Sequence, residues 1–275
     1  MKHVSGFVRA MLVIISVALI IGCIPSAQII ARARISDLSA DDTSKSAREL
    51  WEKVLAAKGG RERLRQITGL YAAADLGKGW RSFTFNAFST YRYEFVYDPK
   101  REVTVVEISN ARKGMVWWQV DANEARPRKY NEEEVYQDLL PQFIYLMVTH
   151  ELDPVPLRLR KERIGLKRVD VIETDANGWR VDYYIDSDSN LPIRVVLPLG
   201  TKARAEGEMN HIVTLDDYAA VDGVMMPHTV IHTNTFNSQK LTDSLKFEIN
   251  PAYDPRLFEQ APTPKMGAEP WRPKT

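Results

Sequence analysis

Residues 179–197 read WRVDYYIDSDSNLPIRVVL, and their alternation decides the fold class. Trp179, Val181, Tyr183 and Ile185 fall on one side of an extended chain, with Arg180, Asp182 and Tyr184 on the other. Residues 186–190 (DSDSN) supply a turn, and Leu191, Ile193, Val195 and Leu197 alternate on the way back. Two short runs of period two around a polar turn predict an antiparallel hairpin.

Working outward, the same period recurs on both sides. Upstream, strands are predicted from Gly69 to Ala74, Arg81 to Phe88, Arg92 to Tyr97, Glu102 to Ser109 and Met115 to Val120. Turn formers separate them, among them Gly77-Lys78-Gly79, Asp98-Pro99-Lys100 and the stretch from Asn110 to Gly114. Strands resume near Leu157, and further ones fit Glu208 to Leu215, Val224 to Thr235 and Leu241 to Ile249. About ten short strands with tight connections predict an antiparallel meander in place of βαβ units.

Helical periodicity appears in two places. Residues 46–57 (SARELWEKVLAA) put Leu50, Trp51, Val54 and Leu55 on one stripe, and Lys58-Gly59-Gly60 is a stop signal. A short second helix is predicted from Arg61 to Gln66, with Leu64 and Ile67 inward. From Glu132 to His150 an apolar helical stretch is predicted, kinked or divided at Pro141. A sheet of this size curls, and helices laid on its concave face would close a core.

The amino terminus carries Lys2, His3 and Arg9 ahead of an uncharged apolar run from Ala10 to Ile21. That is the form of a secretory signal, and it falls short of the about 20 apolar residues a spanning helix needs unless Ile24 to Ile30 are counted with it. Cys23, the single cysteine, follows Ile20-Ile21-Gly22 in a pattern that resembles a bacterial lipobox, with Cys23 as the lipidation site. Cleavage after Ala31-Arg32-Ala33 is the other reading. The chain thus divides into a leader (1–22), a polar tether (23–45), one domain (46–262) and a Pro-rich tail (263–275). One cysteine excludes an intrachain disulfide.

Lysine plus arginine (37) nearly balances aspartate plus glutamate (36), so no basic field points to nucleic acid. There is no phosphate-binding glycine loop, nucleophile elbow or metalloprotease helix, so no catalytic residues, cofactor or metal site are expected. On a strand, His228 and His232 lie roughly 13 Å apart at about 3.3 Å per residue and cannot share an ion. His150, with Glu151 and Asp153 beside it, reads as a helix-end histidine favoured by the dipole. Asp216 and Asp217 read as turn formers, since adjacent strand residues point to opposite faces. The basic stretch 158–168 (RLRKERIGLKR) reads as a solvated strand and turn, or as a surface for anionic headgroups.

Several motifs together resemble the outer-membrane lipoprotein carrier and receptor superfamily (LolA/LolB-like). They are Ala56-Ala57-Lys58-Gly59-Gly60 with Leu64 and Ile67, the hairpin from Tyr184 to Arg194, Asp216-Asp217-Tyr218 leading to Val221-Asp222-Gly223-Val224-Met225-Met226-Pro227, and Ile249-Asn250-Pro251 with Phe258. The resemblance spans about Ser46 to Pro262. It implies an α+β fold, mainly antiparallel β: a strongly curved, unclosed half-barrel capped by helices, whose hollow takes acyl chains. On that reading Phe83, Phe85, Trp117 or Trp118, Phe143, Met147 and Tyr183 would bind the ligand, because acyl chains need a dry concave surface. A packed core of the same residues is the other possibility. The partners implied are lipid or lipoprotein acyl chains, a membrane surface reached through the lipid anchor, or another envelope protein. The location implied is periplasm-facing, at the outer membrane.

Overall fold

The computed structural model describes residues 40–75, 79–86, 90–97, 103–110, 115–120, 124–128, 144–149, 152–176, 178–198, 210–234 and 240–258. Cys23 and Phe143 lie outside them, as do the leader, most of the tether and the tail. From Ile35 onward the chain forms one unit.

The helices are α1 (Ala40–Lys58) and α2 (Arg61–Arg65), and a 3-10 turn (Pro255–Phe258) follows the last strand. The strands are β1 (Gly69–Asp75), β2 (Gly79–Asn86), β3 (Thr90–Tyr97), β4 (Val103–Asn110), β5 (Met115–Val120), β6 (Glu124–Arg128), β7 (Val155–Ile164), β8 (Lys167–Ala176), β9 (Trp179–Ile185), β10 (Pro192–Pro198), β11 (Asn210–Val221), β12 (Val224–Asn234) and β13 (Lys240–Ile249). They form one curved, unclosed antiparallel sheet in the order β6-β5-β4-β3-β2-β1-β13-β12-β11-β10-β9-β8-β7. Every ladder joins strands consecutive in the chain except one seam, where β1 meets β13 with Leu70 opposite Ile249 and Ala74 opposite Leu245, and the consecutive β6 and β7 form the two opposite edges.

Among the described residues thirteen strands stand where about ten were expected. β6 escaped because it contains Pro127, which removes a ladder donor and suits an edge strand, the place β6 takes. β7 and β8 form a hairpin whose interleaved charges hide its period. β11 runs on through Asp216 and Asp217 to Val221, so the turn lies at Asp222-Gly223, both at positive φ (48° and 75°) as a tight two-residue hairpin requires. Asp217, at φ 54°, sits within the strand.

α1 starts six residues before the expected Ser46, so the end of the supposed tether, from Ala40, is helical. Its buried stripe is Ala47, Trp51, Val54, Leu55 and Lys58, a helical spacing. The inner sheet face supplies Val181, Tyr183 and Ile185 of β9, Val195 and Leu197 of β10, Val213 and Leu215 of β11 and Val230 of β12, all buried in one cluster with Trp51. The Trp51 and Tyr183 rings meet edge to face at 5.0 Å.

The expected helix up to His150 is corrected in its described part. Ile144–Thr149 form a turn and an irregular strap: Val148 N donates to Leu146 O across Met147, at φ 66°, and Thr149 N donates to Leu152 O. Ile144 to Thr149 are all buried, so the apolar pattern reflects burial on all sides, which periodicity cannot tell from a helix.

Asn250 holds the seam shut. Its Oδ1 accepts from Thr68 N (2.8 Å) and Gly69 N (3.0 Å), its Nδ2 donates to Gln66 O (3.1 Å), and its own N–H donates to Gly69 O (2.9 Å). The side chain therefore ties the start of β1 to the end of β13. Asn250→Gly keeps the φ of 50° accessible and removes the side-chain bonds. It is expected to lower unfolding free energy by about 1–3 kcal/mol, read from the urea midpoint at unchanged m-value.

Candidate ligand face and its roof

The register sorts the aromatic residues into rows. One row runs from Phe247 on β13 through Ala72, Phe83, Tyr93 and Glu107 to Trp118 on β5. The next inner row is Ile249, Leu70, Phe85 and Tyr91. Trp117 belongs to the intervening register row with Ile108, Arg92, Thr84 and Tyr71. Thus Trp118, and not Trp117, shares its row with Phe83.

The described side chains of these rows belong to the core. Leu70 and Tyr91 are buried in the main cluster, while Tyr93, Leu245, Phe247 and Ile249 pack against it and stay partly exposed. Tyr145 of the strap meets Phe247 edge to face at 5.5 Å. An apolar inner face around Phe247 and Tyr93 is therefore covered only in part. The β7–β12 half differs. There α1 packs along β7 and reaches β8 and β12, and Tyr183 and Met147 are sealed, at 0% and 1% exposure. Burial raises the Tyr183 phenol far above its ordinary pKa. Among the described residues, Tyr183 OH and Trp51 Nε1 are buried without hydrogen-bond partners.

Lys58 was legible only as part of a stop signal. It is fully buried, its Nζ donates to Met225 O, and it stands 5.3 Å from the Tyr218 ring centroid. Tyr218 OH in turn donates to Pro192 O at 2.7 Å, and burial pushes its phenol well above the usual value. Burial lowers Lys58 to about 7. The sequence signal was its place on the stripe, four residues after Val54 and seven after Trp51.

Beyond Lys58 the chain turns sharply at Gly59 and Gly60 (φ 122° and 95°) and lies against the β11–β12 turn. A Cβ on Gly59 would come 2.5 Å from Gly223 O, whereas one on Gly60 would meet nothing within 4 Å. Arg63 Nη1 donates to Asp222 O at 3.4 Å and covers Gly223. The motifs Lys58-Gly59-Gly60 and Asp222-Gly223-Val224-Met225 are thus two sides of one joint. Beside it, Arg61 bridges Glu52 and Asp153, and Arg65 also binds Asp153. Burial raises the Asp153 pKa, but the two arginines outweigh it and hold the carboxyl below its ordinary value.

The remaining candidates resolve as follows. His228 and His232 both lie on β12; His232 Nδ1 faces His211 Nε2 across the ladder at 3.0 Å, and His228 Nδ1 faces Leu245 O at 2.9 Å. Burial lowers His211 to about 4. His150 and Glu151 lie outside the described residues. In the basic stretch, Arg158 pairs with Glu173, Arg160 with Glu162 and Asp182, and Lys167 with Asp186, so half of its six cations already meet carboxylates. Lys167, with the N–H groups of Ser189 and Asp188, holds Asp186 down to about 2 against the pull of burial.

Alanine at either Gly59 or Gly60 meets a left-handed backbone, but only Gly59→Ala adds a collision. Gly59→Ala is expected to cost more than about 1 kcal/mol and to exceed Gly60→Ala, read as the difference between their thermal midpoints.

No family model matches the chain, and no curated protein matches it. Solved structures similar to it include a DUF1329 family protein from Desulfovibrio piger, at 10% identity, 78% of this chain, 97% of that one and TM-score 0.46. A LolA superfamily protein from Nitrosomonas europaea is similar at 11% identity, 75% and 91% coverage and TM-score 0.40. The MucA/MucB complex of Pseudomonas aeruginosa is similar at 10% identity, 74% and 94% coverage and TM-score 0.19. The unclosed antiparallel half-barrel itself is established by the strand order and register of this chain.

Proposed function

We propose that this is an exported envelope protein, anchored through an acylated Cys23 to a membrane facing the periplasm, that takes a lipid or a lipoprotein acyl group against its inner sheet face. The observation that carries the reading is the part-exposed apolar surface of Tyr93, Leu245, Phe247 and Ile249 beside the buried core. An acyl chain requires a concave apolar surface and few polar contacts. The β1–β3 and β13 region supplies that surface, with Phe83 and Phe85 at register positions within it. Tyr183 and Met147 would then support the site from the packed half. Outer-membrane residence and a part in lipoprotein sorting belong to the same proposal.

The second reading is an envelope interaction protein with a filled core, and the sealed surroundings of Tyr183 favour it. Native mass spectrometry after gentle purification separates the two. The expected result is a co-purifying lipid that is lost in Phe247→Asp and kept in Leu166→Asp, a change at a hairpin tip 97% exposed. A lipid-free chain in a stable protein complex would overturn the acyl reading. For the anchor, palmitate label is expected on the native chain and absent from Cys23→Ala; an unlabelled native chain ends that part.

A further inference from the structure

Lys58 is a cation placed on the apolar stripe of the roof helix, with no exposed surface and a carbonyl and an aromatic ring as its contacts. Buried ammonium groups are rare unless paired, because leaving water costs the charged form several kcal/mol. The groups facing it do not repair this. β11 presents Tyr218, neutral at any ordinary pH, and β12 presents the Met225 carbonyl. α2 presents Arg63, which binds the Asp222 carbonyl at the adjoining turn. Glu52, on α1 itself, is engaged by Arg61.

We propose that Lys58 is a proton-sensitive latch that fastens the carboxyl-terminal end of α1 to the β11–β12 hairpin and lets it go as the surroundings acidify. Two features make it a latch in addition to a packing defect. The amine sits at the end of the roof, next to a two-glycine bend at Gly59 and Gly60 that allows the helix to swing, and its acceptor belongs to a different element 167 residues away. A neutral amine still donates to Met225 O and needs little solvation. A protonated one gains water only by leaving.

The direction follows from linkage. Closed, the amine titrates near 7; released, it returns to the ordinary lysine value of 10.5. The open form therefore binds more protons between these limits, and the closed form gains stability as pH rises through that window and is weakest below it. Asp153 and His211 titrate below the window. Opening should become about tenfold more favourable from pH 8 to 6 and level off below 6.

Hydrogen exchange of the last turns of α1 in the full chain, corrected for intrinsic rates, reads this out. Wild type should lose about tenfold protection from pH 8 to 6, whereas Lys58→Met should hold a constant value. Lys58→Gln, which keeps a neutral donor, should behave like Lys58→Met and serves if the methionine chain does not fold. A flat wild-type profile, or a slope that survives in either variant, would overturn the latch. The lipid measurement on Phe247→Asp is independent of this result.

Discussion

The pairing of β1 with β13 is the constraint on which the rest depends. Every other ladder joins strands that follow one another in the chain, so two meanders could form separately and remain unrelated. The seam brings Leu70 to Ile249, and for a free chain of that length closure costs about 5 kcal/mol in entropy. Five register pairs and the bonds of Asn250 oppose that cost. Once it is made, the rows of Phe247, Ala72 and Phe83 become continuous, and the inner face exists as one surface.

A second dependence follows from how the roof is held. Trp51, Val54 and Leu55 give α1 affinity for the inner face, but apolar contacts alone set its depth more firmly than its direction. Direction comes from polar contacts at one end: Lys58 on the Met225 carbonyl, Arg63 on Asp222, and the Glu52–Arg61–Asp153 bridge. Gly59 allows the close approach because a side chain there would strike Gly223 O. The helix is thus pinned at its carboxyl-terminal end.

What was legible in the sequence follows from what each pattern reports. Alternation of Trp179, Val181, Tyr183 and Ile185 and of Val195 and Leu197 reports the main core face, so the hairpin and its polar turn were plain. A register shift between Pro192 and Arg194 takes Ile193 out of that set, and it packs with Val169, Val171 and Tyr184 in a separate cluster. Ile144 to Thr149 are buried all round, so their run of apolar residues carried no period and was misread as helix. β6 was hidden by Pro127, whereas β7 was anticipated as a strand resuming near Leu157 with a solvated turn, its charges meeting carboxylates of neighbouring strands. A sequence cannot choose between Trp117 and Trp118, because which of them shares a row with Phe83 is a matter of register. Lys58 was read only as part of the stop signal Lys58-Gly59-Gly60, although its spacing after Trp51 and Val54 puts it on the buried stripe.

An open sheet must also contend with its own rims. β6 ends one side with only five residues, and Pro127, its fourth, interrupts the row of donors that a stranger's strand would need. At the far rim, β7 is flanked by α1 and carries Lys161 and Arg163 beside the carboxylate-paired Arg158 and Arg160, a charged edge of the kind that discourages a strand from docking. The half-barrel can therefore stay open without inviting endless stacking of one molecule on the next.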